Sequence, residues 1–585
     1  MSIDTHLTPG RDADEDAPWF EASVAELEAQ MAAGRLASAE LTQAYLRRIE
    51  RLDPLLHAVI ETNPDALRIA ARRDDERRAG RIRGPLHGIP VLLKDNIATN
   101  DAMETTAGSR ALVGSRVPRD ARIVTRLRAA GAVILGKTNL SEWANFRGLV
   151  PPAVTEKGLY LNGWSARGGF TRNPYGLGWD PCGSSSGSAV AVAANLCAIA
   201  IGSETDGSIV CPSAHNAIVG LKPTVGLVAQ AGIIPISHSQ DTAGPMGRTV
   251  TDVAIALNVL RSPFGDVAGR HMPRDYRASL RRGGLRGARI GVDRRLFSDD
   301  PSADAARNSL AELAFQTMTS LGAVLVDPIE APDTKAISEA ELTVLLTEFK
   351  VDIAAYLGGL RNTSMRTLAD LIAFNDENCA EEMTYFGQEF FDVAEATTGL
   401  ADPAYLEARA LCLARTRTDG IDRILAEANL DAIVAPSYGD SSGPAVSGYP
   451  SISVPTGVTA DGRPGGVWLY AGSLSEPRLL ALAYDLEQAL GPRPLPRYMG
   501  MVPGLPPDAG ICAIPAAART RTGRSDLPAD VQERPPRVRL PAPAAQAAPT
   551  ARASDAAATP SAITATMAGY RARRSPSSGA LGMSE

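Results

Sequence analysis

The sequence predicts an α/β fold, a sheet with helices packed on its faces, from three observations. Between Leu86 and Leu260 short apolar runs alternate with segments of helical period, the order that builds a helix-covered sheet. Capped amphipathic segments come before this region, and apolar runs of strand length return after it. Taken in order, Ser23-Val24-Ala25-Glu26 has the pattern of a capping box, with Leu27 and Met31 at helical spacing and Gly34 as the stop. A second helix starts near Ser38 and places Leu41, Tyr45, Leu46 and Ile49 on one face. A third, Pro64 to Ala79, is charged on most sides and ends at Gly80. Ile89 to Leu93 reads as a buried strand leading into Lys94, and an arginine-rich helix, Ala121 to Ala130, precedes the apolar strand Ala132 to Leu135. Ser188 to Leu196 reads as a buried helix. Residues 261–425 are more helical; strands come back at Ala432–Ala435, Ser451–Val454 and Gly466–Leu469, and a closing helix opens at Ser475 and ends near Leu490.

The composition narrows the function. The chain of 585 residues is 44% hydrophobic and carries a net charge of −7, which suits a globular protein and argues against nucleic acid as its main partner. The six cysteines form no C-x-x-C pair, so a zinc or redox site is not indicated; Cys182 and Cys211 read as small apolar residues of a core. No H-E-x-x-H is present, and no metal or cofactor is expected. The N-terminus lacks the basic start and apolar stretch of a secretion signal. No apolar run approaches the ~20 residues of a membrane-spanning helix, so a cytoplasmic protein without membrane attachment is expected.

The chemistry is concentrated in two serine-rich loops, Gly183-Ser184-Ser185-Ser186-Gly187-Ser188 and Glu204-Thr205-Asp206-Gly207-Ser208, and in Lys94 before them. A serine hydroxyl attacks a carbonyl only when a base takes its proton. The six histidines all lie at or before position 271, which supplies a histidine triad poorly. Lysine can serve if it is neutral, and burial disfavours its charged form. Two shorter patterns compete. Gly131 to Thr138 fits the P-loop expression letter for letter, but the residues between its glycines are themselves the apolar strand, where a phosphate loop needs flexible backbone. Gly183 to Gly187 fits G-x-S-x-G with Ser185 as nucleophile; the turn-rich approach and the lack of a later histidine argue against that elbow. The plain alternative for the serine run is a helix N-terminus, which Ser and Gly favour.

The segments GPLHGIPVLLKDNI (84–97), GAVILGKTNLSEWANFR (131–147), GWSARGGFTRNPY (163–175), PCGSSSGSAVAVAA (181–194), GSETDGSIVCPS (202–213), GLKPTVGLV (220–228) and SQDTAGPMGRTVTD (239–252) together resemble the amidase signature hydrolases, over roughly Pro18 to Met501. The resemblance implies a large mixed sheet with helices on both faces and an amidohydrolase that needs no cofactor. It implies Lys94 as base, Ser184 as the relay serine after a cis peptide bond, Ser208 as the nucleophile forming an acyl-enzyme, and backbone N–H groups of Thr205, Asp206 and Gly207 as the oxyanion hole. Many family members carry glycine at the position of Asp206, a change that a backbone donor tolerates. Met383 to Glu389 is similar to the peptide-amidase-like branch. The implied substrate is a small-molecule or peptide amide, handled by a monomer or homodimer; the glutaminase component of a tRNA-dependent amidotransferase and a non-catalytic binding protein are the alternatives.

Three units follow: an unstructured acidic N-terminus (1–17), one catalytic unit (18–510) and a tail (515–585) rich in Ala, Pro, Arg, Ser and Thr, whose composition cannot offset the entropy of ordering. The stretch Leu149 to Asn162 is longer than in similar sequences and is expected to cover the cleft.

Overall fold

The structure, a computed structural model, describes residues 14–149, 161–262, 267–270, 272–297, 305–330, 334–437, 440–502, 504 and 508–513. The tail 515–585 and most of the 149–162 stretch lie outside the described residues. Asp14 to Ala17, assigned to the unstructured N-terminus, form a turn in which Asp14 pairs with Arg48 at 2.6 Å.

Thirteen strands are described: β1 (Val59–Thr62), β2 (Pro90–Lys94), β3 (Val133–Thr138), β4 (Trp164–Ser165), β5 (Gly169–Phe170), β6 (Ile199–Glu204), β7 (Val219–Lys222), β8 (Thr242–Gly247), β9 (Arg289–Val292), β10 (Val324–Val326), β11 (Ala432–Pro436), β12 (Ser451–Val458) and β13 (Pro464–Tyr470). Eleven of them form one sheet in the order β1-β3-β2-β6-β8-β7-β12-β13-β11-β9-β10, and β4 pairs with β5. The sheet is mixed. β3, β2 and β6 run parallel to one another, as do β11, β9 and β10, while the strands from β6 through β8, β7, β12, β13 and β11 pair antiparallel.

Alternation along the strands covers both faces. In β11, Ala432 and Val434 pack into the core with Ala311, Leu480 and Leu486 from the helices Ala305–Ser320 and Glu476–Leu490. Ile433 and Ala435 face the other way, onto Val210, Ile421 and Ile424. Val467 and Leu469 against Trp468 and Tyr470 divide the same way in β13.

The N-terminal helices form at Val24–Ala32, Ser38–Leu56 and Ala66–Arg78, the first behind the capping box of Ser23 and Glu26. The charge of the third helix is partly internal: Glu76 is buried between Arg73 and Arg83. β9 and β10 fall inside the region read as helical. They are four- and three-residue strands with an internal glycine or half-exposed faces, too short for alternation to register. The expectation that Cys182 and Cys211 are apolar lining is overturned. Their Cα atoms are 5.9 Å apart, within bridging distance, and the two are joined in a disulfide, as are Cys379 and Cys512.

The segment read as similar to peptide amidases is pinned by a buried cation. Arg147 is wholly buried, pairs with Glu142, donates to the carbonyls of Phe386 and Gly387 at 3.1 Å each, and lies 4.1 Å over the Phe386 ring. Arg147→Ala leaves the Glu142 carboxylate buried without its partner, so the folded state is expected to lose about 3–5 kcal/mol, read from urea denaturation midpoints; a loss below about 1 kcal/mol, the scale of an exposed pair, contradicts this.

Candidate active site

Lys94 is the last residue of β2 and Ser203 and Glu204 are the last of β6. Because the two strands run parallel in register, Leu93 beside Ile201, these side chains emerge at the same carboxyl edge, where open α/β sheets carry their sites. Lys94 has no exposed surface. Its Nζ donates to Ser184 Oγ at 2.7 Å, Ser203 Oγ at 3.0 Å and the Ser203 carbonyl at 3.1 Å. Burial pushes the amine down to about 7, against the pull of Asp241 and Glu204, whose negative charge favours the ammonium.

Ser184 follows a cis peptide bond after Gly183, and its carbonyl accepts from Ser141 N–H at 3.1 Å. The helix Ser186–Ala193 starts two residues later. It packs so closely that a Cβ on Gly187 would lie 2.3 Å from the Ala58 carbonyl and 2.5 Å from that of Asn139, which only glycine avoids. The helix-start reading of the serine run therefore holds, with Ser184 just ahead of the helix. Ser185 is fully buried with its hydroxyl on the Ser203 carbonyl at 3.0 Å, so it is not presented as an elbow nucleophile. Lys137 of the P-loop-like pattern lies in β3, buried, bonded to the Ile97 carbonyl and Thr105 Oγ1 at 2.8 Å each.

The second loop turns at Gly207, whose φ of +75° suits glycine. Ser208 is 8% exposed, and its carbonyl accepts from Ser185 N–H at 3.2 Å, which joins the two loops. Among the described residues the Ser208 and Ser184 hydroxyls are not hydrogen-bonded to each other, and the N–H groups of Thr205, Asp206 and Gly207 have no acceptor within the protein. The side chains of this loop are tied outward. Thr205 Oγ1 donates to Asp241 at 2.6 Å, and the Asp206 carboxylate accepts from Ser441 and, at 2.6 Å, from Ser442. Glu204 accepts from Ile209 and Val210 N–H at 2.6 and 3.1 Å, fixing the start of the helix Val210–His215.

Ser203, Asp241, Ser441 and Ser442 escaped the sequence reading. Asp241 lies in one of the matched segments, which was the available signal; nothing local marks the two serines more than two hundred residues from Asp206. Burial raises Asp241 to about 7. Asp241→Asn removes a charge that favours the ammonium form of Lys94, so the acidic limb of kcat/KM against pH is expected to move to lower pH; a limb displaced upward contradicts this assignment.

A cavity of about 280 Å³ is walled in part by Asn96, Ser203, Thr205, Asp241 and Tyr356; Lys94 reaches it through Ser203, and Ser184 and Ser208 are not part of its wall. Among the described residues two clusters bring metal-ligating atoms together, Cys182/Cys211/His215 and His238/Glu348/Asp352. The thiols of the first are joined to each other. In the second, Asp352 accepts from His238 at 2.8 Å and Glu348 from Ser237 at 2.5 Å and Ser239 at 3.1 Å, so its oxygens already hold proton donors.

A mixed helix-covered sheet with a buried lysine on one serine loop, beside a second serine loop, is the arrangement expected of an amide hydrolase. The profile of the family named Amidase matches residues 40–444, and the chain belongs to that family. A probable amidase of Arabidopsis thaliana is 41% identical over 494 residues, 82% of this chain and 92% of the relative. The solved structure of the native peptide amidase of Stenotrophomonas maltophilia is similar at 51% identity and a TM-score of 0.76, over 82% of this chain and 99% of that one. One component of the glutamyl-tRNA(Gln) amidotransferase of Halorhodospira halophila is 34% identical over 80% of this chain and 96% of its own. The protein is an amidase, and its fold is that of the family. No helix among the described residues is long and apolar enough to cross a membrane.

Proposed function

We propose that Ser208 attacks a carboxamide carbon while its proton passes to Ser184 and from Ser184 to neutral Lys94. The tetrahedral oxyanion is met by the N–H groups of Thr205, Asp206 and Gly207, donors worth about 2.7–4 kcal/mol each in such sites. The leaving ammonia or amine takes the proton back through Ser184, and water then hydrolyses the acyl-enzyme. The carrying observation is the 2.7 Å contact between a wholly buried Lys94 amine and Ser184. The two loops are already joined by Ser185 N–H on the Ser208 carbonyl, and catalytic hydrogen bonds commonly tighten only with substrate bound.

The substrate class is an amino-acid or peptide amide, a reading supported by the 51% identity to a peptide amidase. Released ammonia from a panel of peptide amides and simple aliphatic and aryl amides, with the purified chain alone, tests it: peptide amides turn over fastest, and a preference for simple amides removes the assignment. The amidotransferase reading rests on the 34% identity to that enzyme's component, and it takes over if turnover requires added partner proteins. A binding protein without catalysis is disfavoured because Lys94, Ser184 and Ser208 are all kept. We read the catalytic unit as 18–510, acting as a monomer or homodimer without nucleic acid. The two disulfides support an oxidising compartment as the location.

A further inference from the structure

The disulfide Cys182–Cys211 joins the two loops that carry the chemistry. Cys182 directly precedes Gly183 and Ser184, and Cys211 lies in the first turn of the helix after Ser208, its N–H on the Gly207 carbonyl at 2.8 Å. Cys182 also holds a left-handed backbone, φ +54°, unusual for a residue with a side chain and kept only where surrounding structure imposes it. Its carbonyl accepts from Ser186 Oγ at 2.5 Å. The same two loops share weaker bridges: Asn216 Nδ2 donates to the carbonyls of Pro181 and Pro212 at 2.9 and 2.8 Å, and Ser185 N–H to that of Ser208 at 3.2 Å. These bridges survive reduction, so an opened disulfide loosens the loops without releasing them.

We propose that the Cys182–Cys211 disulfide is a positioning clamp for the amidase reaction, holding the relay-serine loop in register with the nucleophile loop, so that a dithiol reductant lowers turnover and reoxidation restores it. On reduction the S–S bond breaks, two electrons and two protons pass from the dithiol to the two sulfurs, and the dithiol closes to its own disulfide. Cys182 is half-buried and Cys211 is 3% exposed, so the bond is approached from the Cys182 side. The inference rests on the Lys94/Ser184/Ser208 assignment, because the clamp acts only through those serines.

The test uses the full chain purified without reductant. Denatured and unreduced, it should show two thiols, Cys197 and Cys412. Dithiothreitol should lower kcat by about 10- to 100-fold, the cost of a misplacement near 1 Å, with KM little changed, and reoxidation should recover the rate. Cys182→Ser/Cys211→Ser should show the lowered kcat and no response to dithiothreitol, while Cys379→Ser/Cys512→Ser keeps the full response. Unchanged kcat in protein whose thiols have been counted as reduced overturns the clamp. So does a native protein with four or more thiols and one equivalent of zinc, which would make Cys182, Cys211 and His215 a metal site instead. Full activity in Ser208→Ala overturns the catalytic assignment itself, and redox insensitivity with an inactive Ser208→Ala overturns only the clamp.

Discussion

Ser208→Ala is expected to lower amide hydrolysis by about 10⁴-fold or more, the scale seen when the nucleophile of a serine hydrolase is removed. The fold should not change. The Ser208 hydroxyl has no side-chain hydrogen bond among the described residues, and the link to Ser185 is through its backbone carbonyl. What remains comes from substrate binding and the oxyanion donors. Melting temperature and rate measured on the same sample separate chemistry from folding: a variant that melts as the wild type does and still releases ammonia at a tenth of its rate removes Ser208 from the mechanism. Wild type incubated with a carbonyl-reactive electrophile should carry its added mass on the peptide containing Ser208, and the variant should not.

Lys94→Met is the second large effect. Methionine is close in volume and keeps the apolar stem packed, but it takes away the amine that contacts Ser184 and both oxygens of Ser203. General base catalysis contributes about 10²–10⁴-fold, and the loss in kcat should fall in that range. The sign of the pH dependence follows from the direction of the shift. A lysine held down to about 7 is charged and idle below that value and free to accept a proton above it, so wild-type kcat/KM climbs with pH through 7. An unburied lysine, with a pKa of about 10.4, would hold the rate low until far more alkaline pH. In the proposed mechanism the apolar strand ending at Lys94 supplies the base that the scarce histidines do not.

Much of this was legible beforehand because the informative residues are local. Lys94 sits at the end of Ile89 to Leu93, so its burial was written into its immediate neighbours, and the structure buries that whole strand. The Gly-Ser runs marked both loops, and the capping box of Ser23 and Glu26 started its helix where expected. What escaped is long-range. Disulfide connectivity cannot be deduced from cysteine positions, so the tie between Cys182 and Cys211 became visible only when β2, β6 and the helix Val210–His215 had been assembled. The tether from Asp206 to Ser441 and Ser442 spans more than two hundred residues, and no periodicity reports it. β9 and β10 were missed because each has too few residues to alternate, and their place in the sheet is set by β11, which is distant in sequence.

The account depends most on an uncharged Lys94 drawing the Ser208 proton by way of Ser184, and the kcat/KM profile against pH in wild type, Lys94→Met and Asp241→Asn tests it most directly. Asp241 is included because it too titrates near 7. The predicted result is an acidic limb centred near pH 7 in wild type, retained but moved to lower pH in Asp241→Asn, and missing from the residual rate of Lys94→Met. A limb that persists unchanged in Lys94→Met would contradict the assignment of the base.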